Sequence, residues 1–293
     1  MPHRAVFRLI HKRVSEDGVE KVSSLLHGET YRITVYRVEG LDLIVQRVGY
    51  ADAERTSGPL EIAPAPWRTY CRWHDGPLDK RDNPWERIYC TEEAEGYCRV
   101  HKRSLRSLYE ICMSLRSPKS LEACRALDRE VKAEYTLYMI HTGGKGLKVG
   151  VTRSFRLLER IAEQQHSVAT VLGVYDSAYR ARMAETHVSK SGMAVERGVK
   201  RLRRPDPGQG VHLLSWIAEK VSGVLGTSWS GRLFRVKPAQ EVFHAVQASP
   251  YKIPGSRFEP RTYWGGILVA HSGGRLIALK EREMLHKDSL VIP

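Results

Sequence analysis

Cys71-x2-His74 and Cys98-x2-His101 are two identical pairs with 23 residues between them. Zinc takes four nitrogen or sulfur ligands tetrahedrally, and a two-residue spacing lets both side chains of a pair reach one ion from a tight turn. The expected ligand set is Cys71, His74, Cys98 and His101, with Cys90 as a spare thiolate able to replace either histidine. Four protein ligands close the shell, so such an ion would scaffold and not hydrolyse. The alternative is a set of scattered residues with no metal. Arg68, Arg72, Arg81, Arg87, Arg99, Lys102 and Arg103 crowd the segment, and Trp67, Trp73, Trp85 and Tyr97 interleave with them. That mixture suits phosphate contact with base stacking, although the same aromatics would also serve as the core of a small module.

A second constellation follows. Thr136-Leu137-Tyr138 is succeeded ten residues later by Lys148-Val149-Gly150, and then by Thr152, Arg160 and Glu185. The order and spacing resemble the GIY-YIG nuclease domain over about residues 135 to 190. The Cys-rich segment together with Lys148-Val149-Gly150-Val151-Thr152-Arg153 is also similar to the family defined as domain of unknown function 2797, over residues 70 to 190. The nuclease resemblance implies catalysis by Tyr138, Arg160 and Glu185. Glu185 would hold Mg²⁺, Tyr138 would orient or deprotonate water, and Arg160 would stabilise the phosphorane charge.

The chain departs from that pattern in three places. Lys148 stands where the second signature has tyrosine, Gln164 where a histidine often follows the arginine, and Arg153 and Arg156 compete with Arg160 for its place. An ammonium about 4 Å from Mg²⁺ repels it by about 2 kcal/mol even in bulk water, so Lys148 suits phosphate binding better than metal-dependent cleavage. Each residue also has an ordinary reading. Tyr138 fits a strand core, Glu185 a solvated helix face or a pair with Arg160, and Lys148 the outer side of a half-buried strand.

The elements that must position these residues are legible from periodicity. Val6 to Ile10, Tyr31 to Val38 and Leu41 to Val48 read as strands, with Glu39-Gly40 as a tight turn between the last two. Leu105, Leu108, Cys112 and Leu115, then Leu121, Cys124, Leu127 and Val131, are two helical stripes broken at Ser117-Pro118. Both stripes make Cys112 and Cys124 core residues. Tyr135 to His141 and Leu147 to Thr152 form a hairpin. A short helix carries Leu157, Leu158 and Ile161, Val168 to Tyr175 is a third strand, and Ser177 to Lys190 a second helix. Val211 to Leu225 is amphipathic, and a last hairpin spans Gly266 to Leu279. The expected fold is α+β and multidomain. Its parts are a β-rich region 1–66, a zinc module with helices 67–134, a GIY-YIG-like domain 135–192 with a three-stranded antiparallel sheet, and a basic arm with a mixed C-terminal domain 193–293.

Composition frames the function. The 293 residues carry a net charge of +14, with 47 Lys+Arg against 33 Asp+Glu. That excess suits a polyanionic partner, because neutralised phosphates release counterions and arginine grips them bidentately. The expected contacts are Lys148, Arg153 and Arg156, with Lys200, Arg201, Arg203 and Arg204 on the arm. No apolar run approaches the ~20 residues a membrane span needs, and no secretory signal opens the chain, so a cytoplasmic setting is expected and disulfides are the poorer default for five cysteines. Asn83 is the only asparagine, a depletion seen in thermophile proteins and also produced by codon bias. Three functions follow: a zinc-stapled protein that binds RNA or DNA, RNA slightly favoured; a Mg²⁺-dependent endonuclease; or an assembly factor on a ribonucleoprotein with a protein partner.

Overall fold

A computed structural model describes residues 14–38, 51, 71–195 and 206–237 with their side chains, apart from 26, 84–85, 95, 115–117, 144–145, 163 and 165. For residues 5–11, 41–47, 53–56, 60–65, 246–248, 259–264, 267–272, 275–280 and 289–291 it gives the backbone strands alone. The first half holds β1 (Ala5–His11), β2 (Val14–Ser23), β3 (Thr30–Val38), β4 (Leu41–Arg47), β5 (Ala53–Thr56) and β6 (Leu60–Ala65). The helices α1 (Leu105–Ser114) and α2 (Pro118–Glu130) come next. They are followed by β7 (Tyr135–Gly143), β8 (Gly146–Arg153), α3 (Leu157–Ala162), β9 (Val168–Tyr175), α4 (Ala178–Lys190) and α5 (Pro207–Leu225). The chain ends with β10 (Leu233–Lys237), β11 (Val246–Ala248), β12 (Glu259–Trp264), β13 (Ile267–Ser272), β14 (Arg275–Lys280) and β15 (Ser289–Val291). The fold is α+β, built on a curled six-stranded mixed sheet of order β2-β3-β10-β9-β7-β8. No helix among the described residues is long and apolar enough to cross a membrane.

The sheet draws strands from three of the four sequence segments. Its one parallel pair sets β10 beside β3, with Val236 opposite Tyr36. The expected hairpin of β3 with β4 does not form: β3 pairs with β2 and β10, while β4 pairs with β1 and β5 in a separate sheet. The Glu39-Gly40 turn lies outside the described residues. The strand β2 (VSEDGVEKVS) escapes a sequence reading because no position in it is fully buried, and Val19 is exposed while Glu20 is half-buried.

The strand β7, between β9 and the edge strand β8, is buried along its first seven residues. Successive side chains point to opposite faces. Leu137 and Met139 join Val211, Leu214, Ala218 and Val221 of α5 and Val188 of α4. Tyr138 and Ile140 face the other way, into a core with Ile161 and Ala162 of α3 and Val236 of β10. Each such fully buried side chain contributes about 1.5–3 kcal/mol relative to exposure. Register then fixes neighbours across the hairpin: Tyr138 lies opposite Gly150 and Ile140 opposite Lys148. Directly opposed residues share a face, so Lys148 stands on Tyr138's side of the sheet.

The glycine opposite is a steric requirement. A Cβ on Gly150 would meet the Tyr138 hydroxyl oxygen at 2.5 Å and its Cζ at 2.6 Å. The tyrosine ring therefore lies across the glycine backbone, and Gly150→Ala would drive it out.

The helical hairpin corrects one expectation. Cys112 and Cys124 sit on facing apolar stripes of α1 and α2, fully buried, and are joined in a disulfide with Cα atoms 4.8 Å apart. Antiparallel packing of the two stripes brings the thiols together, which neither stripe reveals alone. Closing 12 residues of separation stabilises by about 3 kcal/mol in the chain-entropy picture. Asp128 of α2 then clamps the start of α4, accepting hydrogen bonds from the Ser177 hydroxyl (2.7 Å) and the backbone N–H groups of Ala178 (2.7 Å) and Tyr179 (3.0 Å).

Candidate functional site

Two groupings of side chains carry chemistry. In the first, Cys71, Cys90, Cys98 and His101 bring their ligand atoms within 4.8 Å of one another, the three thiols buried and the imidazole half-buried. His101 Nδ1 lies 3.3 Å from Cys98 Sγ and 3.6 Å from Cys71 Sγ, and the Cys90 and Cys98 sulfurs are 4.0 Å apart. This Cys3His group could hold a metal ion.

Cys90 takes the place expected for His74, and backbone pairing explains why. Cys71 N–H donates to Glu92 O (2.9 Å), Cys90 N–H to Trp73 O (3.0 Å) and Asp75 N–H to Ile88 O (3.1 Å). Residues 71–75 therefore run extended and antiparallel to 88–92, instead of turning tightly after Cys71. Alternation along that ladder puts Cys71, Trp73 and Cys90 on one side and His74 with Tyr89 on the other. The rings of His74 and Tyr89 lie 5.4 Å apart, and His74 Nδ1 accepts from Gly76 N–H at 3.2 Å. The Cys98–His101 half is the expected turn. Lys102 N–H donates to Cys98 O (2.9 Å), and Cys98 N–H donates to Cys71 Sγ (3.3 Å). Trp73 stacks flat on His101, with ring centroids 4.1 Å apart at 4°. Burial pushes the Cys90 thiol up to about 11. Cys98 also bears a burial cost, yet the backbone N–H groups of His101 and Val100 and the neighbouring thiols hold it below the usual range.

Most arginines crowding this module hold it together. Arg72 pairs with Glu110 at 3.3 Å and Arg87 binds Asp82 through two 2.6 Å hydrogen bonds. Arg81 donates to Phe155 O (2.6 Å) and pairs with Glu159 (2.8 Å). Arg106 donates to His74 O (3.0 Å) and to Gly76 O. Its burial, beside Arg153 and Arg87, pushes it down to about 10. Trp67, Arg68 and Trp85 lie outside the described residues.

The second grouping surrounds Tyr138. Gln164 Nε2 donates to the Tyr138 hydroxyl (2.8 Å) and to Arg160 O one helical turn back (2.9 Å), while its Oε1 accepts from Lys148 Nζ. Arg160 and Glu185 both lie near enough to act on that hydroxyl electrostatically, in opposite senses. Tyr138, Lys148, Arg160 and Glu185 therefore converge, with Gln164 as the hub. In the sequence Gln164 stands only where the GIY-YIG pattern often has a histidine. Its signal was the four-residue offset from Arg160, which places both on one face of a helical turn.

The convergence is inward. Tyr138 is 1% and Glu185 4% exposed, while Lys148 and Arg160 are half-buried. Burial, with Glu185 adding to it, outweighs Arg160 and Gln164 and raises the Tyr138 phenol above its ordinary value. A phenol so placed stays protonated at neutral pH and offers no base to water. Glu185 is paired with Arg182 on its own helix.

The other expected contacts fall elsewhere. Arg153 is buried, donating to Leu78 O (3.0 Å) with its guanidinium over the rings of Tyr109 and Phe155. It docks the metal module onto the sheet and does not face solvent. Arg156 is half-buried in the 3-10 turn Ser154–Arg156. Lys200, Arg201, Arg203 and Arg204 lie outside the described residues.

A buried histidine anchors the hub. His166 Nδ1 donates to Gln164 O (2.7 Å), and its Nε2 accepts from Val236 N–H of β10 (3.0 Å). Burial, helped by the Arg235 charge, lowers it from 6.5 to about 4. As pH falls below 6.5 the unfolded chain takes up this proton and the folded chain does not. Stability present above pH 6.5 should therefore drain away toward pH 4, by about 3 kcal/mol from this one group. Urea midpoints measured from pH 7 to pH 4 should show that loss, and His166→Gln should flatten the dependence.

Compared with family models, curated proteins and solved structures, the chain matches none, and the reading of these two groupings rests on their own geometry.

Proposed function

We propose that the protein binds nucleic acid, RNA in preference to DNA, that Cys71, Cys90, Cys98 and His101 hold a structural zinc, and that the GIY-YIG-like unit grips phosphate without cutting it. Three thiolates and an imidazole suit zinc among common cations, and a closed shell of four suits scaffolding. The observation that carries the phosphate reading is the charge of the Tyr138 cluster. Lys148, Arg160 and Arg182 gather there against Glu185, whose carboxylate is already paired with Arg182. A partly desolvated surplus of positive charge favours an anion, and Lys148 with Arg160 stand at its half-exposed edge. The preference for RNA follows from the arginine-rich, aromatic-interleaved segments, which suit unstacked bases.

Binding of a labelled oligonucleotide should weaken as salt rises, with a log–log slope of about −3 to −4 for about four phosphate contacts. Lys148→Gln should make that slope shallower by about 1. A flat salt response would remove the reading. The convergence of Tyr138, Arg160 and Glu185 favours Mg²⁺-dependent cleavage as the second reading. Scission of RNA or DNA that needs Mg²⁺ and disappears in Glu185→Gln would establish it in place of the first.

A further inference from the structure

We propose that the outer face of the metal knuckle, residues Arg99 to Arg103, is a second contact surface that takes the sugar-phosphate backbone of a single strand and is presented only in the metal-loaded fold. The proposal rests on the nucleic-acid reading above and names a different part of the molecule for it. Within this module Arg72, Arg81, Arg87 and Arg106 are committed to carboxylates or backbone carbonyls. Arg99, Lys102 and Arg103 differ: all three are exposed, and among the described residues their side chains make no hydrogen bond or ion pair.

Their direction follows from the ligands. Cys98 and His101 turn inward to the cluster, so the residues beside them, Arg99, Val100, Lys102 and Arg103, are left outward. The turn is held by Lys102 N–H on Cys98 O (2.9 Å) and Ser104 N–H on His101 O (3.0 Å). Gly96, at φ +80°, turns the chain into it while its carbonyl accepts from Arg72 N–H (2.8 Å). Three cations are thus displayed on one short, stiff segment. Val100, 78% exposed between them, adds apolar surface at the same place, and Trp73, half-buried, stacks on His101 within the same module. A single strand offers unstacked bases to such surfaces while its phosphates meet the cations, and a duplex keeps its bases hidden. Because one of the four ligands, His101, lies within this segment and another, Cys98, adjoins it, losing the ion releases its geometry.

The test compares Arg99→Gln/Lys102→Gln/Arg103→Gln with Lys148→Gln on a single-stranded RNA of about 12 nucleotides and on its duplex. The triple variant should keep about one zinc per chain and the melting temperature of the unaltered protein. Its single-strand affinity should fall about tenfold or more, its salt slope should flatten by about 2, and its duplex affinity should fall less. A triple variant that binds the single strand with unchanged affinity and slope, while Lys148→Gln is weakened, overturns the knuckle proposal and leaves the nucleic-acid reading intact. Unaltered protein that binds neither form overturns both.

Discussion

His74→Ala should purify with as much zinc per chain as the unaltered protein, whereas Cys90→Ser should lose it. The identical x2 spacings make the opposite expectation, since they pair His74 with Cys71 as His101 is paired with Cys98. The extended pairing of 71–75 with 88–92 turns His74 toward Tyr89 and brings the Cys90 sulfur within 4.0 Å of Cys98. The effect should be large because the module's apolar cluster is small. Its apolar cluster is Cys71, Cys90 and Cys98, with Trp73, Ala94 and Tyr97 against them. A structural zinc contributes on the order of 10 kcal/mol in small domains, and that binding energy is folding energy. Cys71→Ser, Cys90→Ser and Cys98→Ser should each lose the metal and become sensitive to protease between residues 71 and 104. Elemental analysis of untagged protein with limited proteolysis reads both. Zinc retained in Cys90→Ser and lost in His74→Ala would overturn the ligand set.

Glu185→Ala should destabilise the fold by about 3–5 kcal/mol, a larger effect than an exposed carboxylate could produce. The side chains of Arg182 and Glu185 are 7% and 6% exposed and pair across one helical turn. Removing the carboxylate takes a counter-charge from a buried guanidinium, and the cost lies in that ion's burial more than in the lost attraction. Replacing both partners by apolar residues of similar volume should recover most of the loss, because no ion is then left behind. A double-mutant cycle in urea separates the two contributions. A change below about 1 kcal/mol for Glu185→Ala would mean that the carboxylate reaches water, and would return it to the role of a Mg²⁺ ligand.

The contrast between these residues shows how far a chain can be read without its coordinates. The stripe positions Leu108, Cys112, Cys124, Leu127 and Val131, and the apolar strands around Tyr138, Val149 and Val168, appear in space where periodicity places them, while Leu105 at the start of the first stripe is exposed. Those patterns are local, set by 3.6 residues per helical turn and 2 per strand step. The residue types at Cys71, Cys98 and His101 likewise mark three of the four side chains that could hold a metal. Partner choice was beyond that reach. Cys90 supplants His74 because of a ladder formed across a loop, and Glu185 meets Arg182 on its own helix. Cys112 joins Cys124 only because two helices fold back on each other, and β10 lies parallel to β3 across some two hundred residues of chain. Spacing along a chain specifies which way a side chain points relative to its own element. Which group it then meets depends on how separate elements pack, and that choice belongs to the whole folded chain.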